Sequence, residues 1–454
     1  MRVKKGWLLA ASLTLVASQA TGEQPAGAGA VRSLAEPFQP QPGMQLAALE
    51  RLVSDRSSAV ESAVLDLALA SAEVRQSRLL SNPTVDAAWN TVPIGATNPP
   101  GLSRPLSNVP SYEVGLSYTV ELGKRSPRIE RAIAREQAAR HFVRASSRGQ
   151  ALALAHELGE LATSALKLQG LRGILESGQR LMELARHRLA TGFGTPLDAD
   201  RLLIDVSRTE QLLREEEARQ AASLAGCSAY LGRTCLPFAG PDAAREFLAG
   251  WFAWAERTSG EPGRRSDVLA LNALARAATA EGELARAQAI PDPTLRLGYV
   301  RDQFVTAGAQ HHSLNVSLSV PLPILDHGQA QSQAALAKRE SYVKQKMLVL
   351  QSAEVRLPLL RERLAKSVQR QSAISSDIMP RARGVLTDVE RAAELRLISV
   401  GDVVQARRTV AELLLEEANT YADAFDAALD IAGQVPESPD EQGSAPARKA
   451  PQQP

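Results

Sequence analysis

Between Leu314 and Leu322 the chain alternates without a break. Leu314, Val316, Leu318, Val320 and Leu322 fall on one side, and Ser313, Asn315, Ser317 and Ser319 on the other. A period of two over that length predicts a β-strand with one apolar face and one small, polar face. The pattern also occurs at 111–122, where Val114, Leu116, Tyr118, Val120 and Leu122 oppose Glu113, Gly115, Ser117, Thr119 and Glu121. Shorter alternations open at Pro83 and Pro293, so four strands are predicted, at about 83–92, 111–122, 293–301 and 312–322. Elsewhere the apolar spacing is helical. A helix over about 57–81 stops at Asn82-Pro83, because the residue before proline is pushed to an extended conformation. A run from about Pro127 to Ala190 predicts a helix on the order of 95 Å long, with a partner helix starting near Pro196.

These elements are written twice. SNPTVDAAW (81–89) resembles IPDPTLRLGY (290–299), and SYEVGLSYTVEL (111–122) resembles HSLNVSLSVPL (312–322). TGFGTPLDADRLL (191–203) resembles RLISVGDVVQA (396–406). Three landmarks in one order, each offset by about 200 positions, indicate a duplicated unit: helix, strand, loop, strand, long helix, turn, helix. The turns between the long helices are hairpin tips at 191–198 and 395–402. In the first, Gly192 fits the left-handed position that ends a helix, Thr195 the N-cap, Pro196 the first helical position, and Asp198 the third residue after the cap. Ser399 and Asp402 repeat that spacing in the second. The repeats are expected at 44–235 and 264–433, joined by a connector at 236–263.

The first 20 residues have the basic start, apolar run and small-x-small end of a signal peptide. Residues 21–43 read as a linker and 434–454 as a disordered tail. No later stretch is apolar enough for a transmembrane helix. With 52 Lys+Arg against 50 Asp+Glu, the charge gives no reason to expect a nucleic-acid partner. Aromatic residues are only 4% although 44% of the chain is apolar, a balance that suits long helices packed by Ala, Leu and Val. Cys227 and Cys235 are the only cysteines; in an exported chain they form either a local disulfide or two free thiols.

Strands of about ten residues with an apolar and a polar face have the length and pattern of a transmembrane barrel. Glu113, Ser117, Thr119, Asn315, Ser317 and Ser319 then face the pore, and the alternate side chains face lipid. Four strands cannot close a water-filled barrel, and open edges in lipid cost several kcal/mol for each unpaired backbone group. A homotrimer with twelve strands satisfies them by cyclic symmetry. The fold class expected is mainly α, with a β-barrel portion and a long, hollow helical barrel.

On these residues the chain resembles the outer membrane efflux proteins, the TolC-like channels of Gram-negative bacteria. The resemblance covers about 44–433 and is carried by SNPTV, IPDPTL, VELGKRSPRIERA (120–132), VPLPILDHGQAQ (320–331) and the stretch 377–406. PLPILD after the fourth strand is similar to the heavy-metal-efflux (CzcC-type) branch. The resemblance implies a trimeric exit duct for small toxic compounds or metal ions, or alternatively for proteins of a type I secretion system. It also implies that the tips meet a periplasmic adaptor that links the duct to an inner-membrane transporter. The contact residues would be Gly192, Phe193, Thr195 and Asp198 at one tip and Arg396, Leu397, Ser399 and Asp402 at the other, with Arg396 standing where the family has glycine. Many members carry a lipidated N-terminal cysteine; none stands at the cleavage site here.

No phosphate loop, nucleophile elbow or zinc-protease motif occurs, so neither an enzyme nor a cofactor is expected. His311 and His312 are neighbours on a strand and point to opposite faces, a poor geometry for a shared metal. Asp388, Glu390 and Glu394 near the second tip are read as a solvated helix face or as lining of a closed mouth. Pro380 predicts a kink with no counterpart in the first repeat. A soluble periplasmic coiled-coil scaffold is the rival to the duct.

Overall fold

The computed structural model describes residues 36–95, 100–101, 103–303, 310–395 and 397–436. Helices α1 (Leu46–Ser54) and α2 (Ser58–Arg78) lead into strand β1 (Thr84–Asn90). A single turn, α3 (Pro105–Asn108), precedes β2 (Ser111–Thr119), and α4 (Arg125–Ala190) and α5 (Pro196–Leu231) form the first long hairpin. Helix α6 (Pro241–Arg257) crosses to the second repeat of the pattern: α7 (Ser266–Ala287), β3 (Thr294–Asp302), β4 (His312–Ser319), α8 (Gln329–Ala373), α9 (Met379–Glu394) and α10 (Val400–Gln434). Helix α4 has 66 residues, which at 1.5 Å each is about 99 Å.

The four strands make one antiparallel sheet in the order β1-β2-β3-β4. Strand β2 pairs with β3 across the repeat boundary, with Gly115 opposite Gly298 and Thr119 opposite Thr294. The ladders are shorter than the alternation predicts. Prolines 321 and 323 supply no N–H, and β4 ends at Ser319. Past Thr119, the Val120 N–H is taken by the Pro293 carbonyl and the Leu122 N–H by the Asp292 carboxylate. Beside these bonds Lys124 Nζ lies 2.5 Å from Asp292 Oδ2, so the exit of the second strand is tied to the entry of the third.

The main core lies at mid-length, where α6 packs against α4 and α10 while α1 and α5 close on α4. Leu49, Leu154, Leu158, Leu231, Phe247, Trp251 and Phe425 are at most 1–2% exposed. Much of the chain's small aromatic content collects here: Phe247 lies 5.8 Å and Trp251 5.4 Å from Phe425, ring centre to ring centre. Trp251 Nε1–H donates to the Met44 carbonyl at 3.1 Å, so the indole is buried with its polar atom satisfied. Gly159 lets the α10 helix close in, because a Cβ there would sit 2.2 Å from the Phe425 ring.

The folded part is wider than the predicted boundaries. Phe38, placed in the predicted linker, is buried and forms a parallel bridge with Cys235. At the other end Val435 is buried, and Arg148 donates to the Ala432 and Val435 carbonyls at 2.8 and 3.0 Å. The predicted signal peptide and residues 437–454 of the predicted tail lie outside the described residues. Near Pro380 the helix does change: one π-helical turn, Ile374–Ile378, separates α8 from α9. The proline ring clashes with the carbonyl four residues back, and shifting the ladder by one residue relieves it. Pro358 lies inside α8 without such a break.

Candidate duct

The sheet register sorts the strand side chains onto two faces. Thr84, Asp86, Glu113, Gly115, Ser117, Thr119, Thr294, Arg296, Gly298, Asn315, Ser317 and Ser319 share one face. All six strand residues predicted to line a pore are therefore brought together. The face is hydrogen-bonded across strands: Thr84 and Ser117 hydroxyls are 2.9 Å apart, as are those of Thr119 and Thr294. Arg296 spans three strands, with Nε 3.2–3.3 Å from the Asp86 carboxylate and Nη1 2.5 Å from Glu113 Oε1. The paired glycines leave room for it, since a Cβ on Gly115 would lie 2.7 Å from the guanidinium. The opposite face carries Val85, Trp89, Tyr112, Val114, Leu116, Tyr118, Leu295, Leu297, Tyr299, Leu314, Val316 and Leu318, all exposed. Among the described residues the outer edges of β1 and β4 have no strand partner.

The two tips share one closure. In the first, Gly192 has φ of +76°. The Gly192 N–H donates to the Leu189 carbonyl and the Phe193 N–H to the Arg188 carbonyl at 2.8 Å, a Schellman motif. In the second, the Leu397 N–H donates to the Ala392 carbonyl at 2.9 Å, the same six-to-one bond. Arg396 lies outside the described residues. Thr195 caps α5 by accepting from the Asp198 N–H at 3.2 Å. Ser399 and Asp402 form a reciprocal capping box at the start of α10. Phe193 and Leu397 are left 68% and 73% exposed at the two ends.

Several residues that sequence spacing did not indicate tie the hairpins together. Arg188 of α4 donates to the Ala393 and Glu394 carbonyls at 3.2 and 2.7 Å, satisfying the end of α9. Arg407 of α10 is fully buried. Its guanidinium donates to Asp205 Oδ2 at 2.8 Å, Ser177 Oγ at 2.5 Å and the Ile174 carbonyl at 2.8 Å, with Glu390 Oε1 3.6 Å away. Gly178 leaves it room. Glu390 thus turns inward beside an arginine rather than standing on a solvated face. Asp205, Ser177 and Ile174 each lie more than 200 residues from Arg407, so only a compositional oddity, one Arg and one Asp on apolar helix stripes, marks the pair in the sequence. The sulfurs of Cys227 and Cys235 are bonded, with the Cα atoms 6.0 Å apart. His312 Nδ1 lies 2.5 Å from the Tyr299 hydroxyl, while His311 Nδ1 lies 3.0 Å from the Asp302 carbonyl, so the two imidazoles diverge. No described helix is long and apolar enough to cross a membrane.

Neither a family model nor a curated protein sequence matches the chain. Solved structures do. CusC, studied for folding and transmembrane channel formation, superposes with a TM-score of 0.68 at 14% identity, over 89% of this chain and 98% of that one. The chain has the fold of these channel proteins. The Campylobacter jejuni outer membrane channel CmeC gives 0.69 at 11% identity, over 88% of each chain. The Vibrio cholerae outer membrane protein VceC gives 0.66 at 19% identity, over 87% of this chain and 97% of that one. The likeness extends to nearly the whole of CusC and VceC.

Proposed function

We propose that this chain is an outer-membrane channel that assembles as a trimer and serves as the exit duct of a tripartite efflux system. The observation that carries the reading is the two-faced, open-edged sheet mounted on two long helical hairpins. From Tyr112 to Leu122 the apolar side of β2 and its extension cover about 33 Å of strand, or about 25 Å at a tilt near 40°, the height of a barrel's lipid-facing band. Trp89, Tyr112 and Tyr299 stand toward one end of that band and Tyr118 toward the other, as aromatic girdles do. The polar face with Asn315, Ser317 and Ser319 then lines water. Closing the edges takes β4 of one copy onto β1 of the next. The same step brings α2, with exposed Leu65 and Leu69, toward α8 of a neighbour. Phe193 and Leu397, exposed at the capped tips, are the contact points for a periplasmic adaptor, through which an inner-membrane transporter loads the duct.

The test is expression with its own leader in a Gram-negative host, followed by fractionation and insertion into planar bilayers. The expected result is an outer-membrane species three times the chain mass that conducts as one unit per trimer. Recovery as a soluble periplasmic monomer would sink the reading.

A further inference from the structure

A groove of about 490 Å³ lies between α1 and the loop closed by the Cys227–Cys235 bridge. Its walls are Phe38, Met44 and Leu52, and its polar lining is Gln41, Arg51, Arg56, Arg233 and Asp55. Three guanidinium groups against one carboxylate leave an excess of positive charge. None of the three has an ion-pair partner among the described residues. Arg233 is held by other means: its guanidinium lies 4.9 Å above the Phe38 ring, and its Nε is buried with no hydrogen-bond acceptor. Burial and the nearby Arg56 charge both act to lower its pKa, so the folded chain holds this cation against its own electrostatics. The holding is firm. The Phe38 N–H donates to the Thr234 carbonyl at 2.8 Å and the Leu236 N–H returns to the Phe38 carbonyl at 2.7 Å, with the disulfide closing the same loop. Two guanidinium groups lining one groove, one of them held over an aromatic ring, are a receptor for a planar or tetrahedral oxyanion, which arginine forks match with two parallel bonds.

We propose that this groove is an oxyanion-binding site, in which Arg56 and Arg233 grip, and Arg51 steers, a carboxylate or phosphate group carried by another molecule. The site is independent of the channel reading, since it needs neither membrane nor adaptor. The test is calorimetric titration of the purified full chain in detergent, with pyrophosphate in one arm and a tri-glutamate peptide in the other, at about 20 and about 200 mM salt. Saturable binding of either probe, weaker at the higher salt, supports the site, and the tighter probe identifies the source of the oxyanion. Arg56→Gln, on a half-buried surface side chain, is expected to weaken binding by about tenfold, and Arg233→Met by at least as much, with unchanged circular dichroism. Absence of saturable binding by both probes, or wild-type affinity in both variants, would overturn the proposal.

Discussion

Helices α4 and α8 occupy equivalent places in the two repeats, yet they are built for different surroundings. Helix α4 buries twenty of its 66 residues and runs without interruption. Helix α8 buries only Ala335, Ala353 and Leu364 of its 45 and gives way to a π turn. Helix α8 is nonetheless not polar. Leu348, Val355 and Leu359 are exposed, and Leu336, Val343 and Met347 repeat their spacing of seven and four residues. A helix that shows an apolar stripe to solvent lacks its partner. The duplication thus gives one helix that serves as the spine of the single chain and one whose exposed stripe is the seam expected of the proposed trimer.

The sharpest way to break this comparison is to place charge in each helix. Leu158→Glu in α4 puts a carboxylate where the native side chain is fully buried, and no folded protein is expected. Leu348→Glu with Val355→Glu in α8 should leave the single chain folded, with normal helicity, but abolish the trimer in detergent. Size-exclusion chromatography with light scattering reads both. A stable trimer from the α8 variant would show that the stripe is not the seam.

The second prediction concerns what joins the two repeats. Arg407→Met leaves Asp205 buried without its partner, and loss of one member of a buried pair costs about 3–5 kcal/mol. The double variant Arg407→Met, Asp205→Leu removes both charges and should recover most of the loss. Denaturant unfolding of the four proteins of the cycle gives the coupling directly. Additive losses would mean that the ion pair does not couple α5 to α10. Smaller still is Gly159→Ala, whose methyl would push against the Phe425 ring; overpacking of this kind costs about 1–3 kcal/mol, seen as a lower thermal midpoint.

Local periodicity made much of this fold readable. Strand alternation located all four strands and sorted Ser117, Asn315 and Ser319 onto one face before any register was known. Cap chemistry located both tips, because Gly192, Thr195 and Ser399 act within five residues of where they stand. Contacts formed across the repeats left no such trace. Arg296 looks like a stray charge in β3 until the register sets Gly115 beside it. Arg188 reads as a surface cation on a long helix, although it closes the end of α9. The strand ends were overextended for the same reason: alternation continues to Leu122 and Leu322, but the ladder ends where Pro293 and Asp292 take the next N–H groups. The Pro- and Gly-rich neighbours of Phe38 mark a linker, and only its pairing with the 234–236 segment puts it in the core.

The finest distinction between the two repeats is electrostatic, and it lies on α10 where that helix faces both α4 and α8. Asp426 stands 4.0 Å from His156 of α4, with Glu160 of α4 and Asp430 of α10 adding negative charge and Arg363 of α8 positive charge. Burial is the largest influence and raises the Asp426 pKa above its ordinary value; His156 and Arg363 oppose it, and the two carboxylates reinforce it. A carboxyl whose folded pKa lies above its unfolded pKa binds its proton more tightly when folded. Its contribution is therefore most favourable in acid, and it is lost as pH rises from the unfolded value through the folded one. Asp426→Asn keeps the shape and removes the titration. The variant should melt slightly above the wild type at neutral pH, and the gap should close as the pH falls below the usual carboxylate range. A variant that melted lower at neutral pH would mean that the His156 and Arg363 charges, rather than burial, govern this position, and that α4 and α8 grip α10 through the same carboxylate.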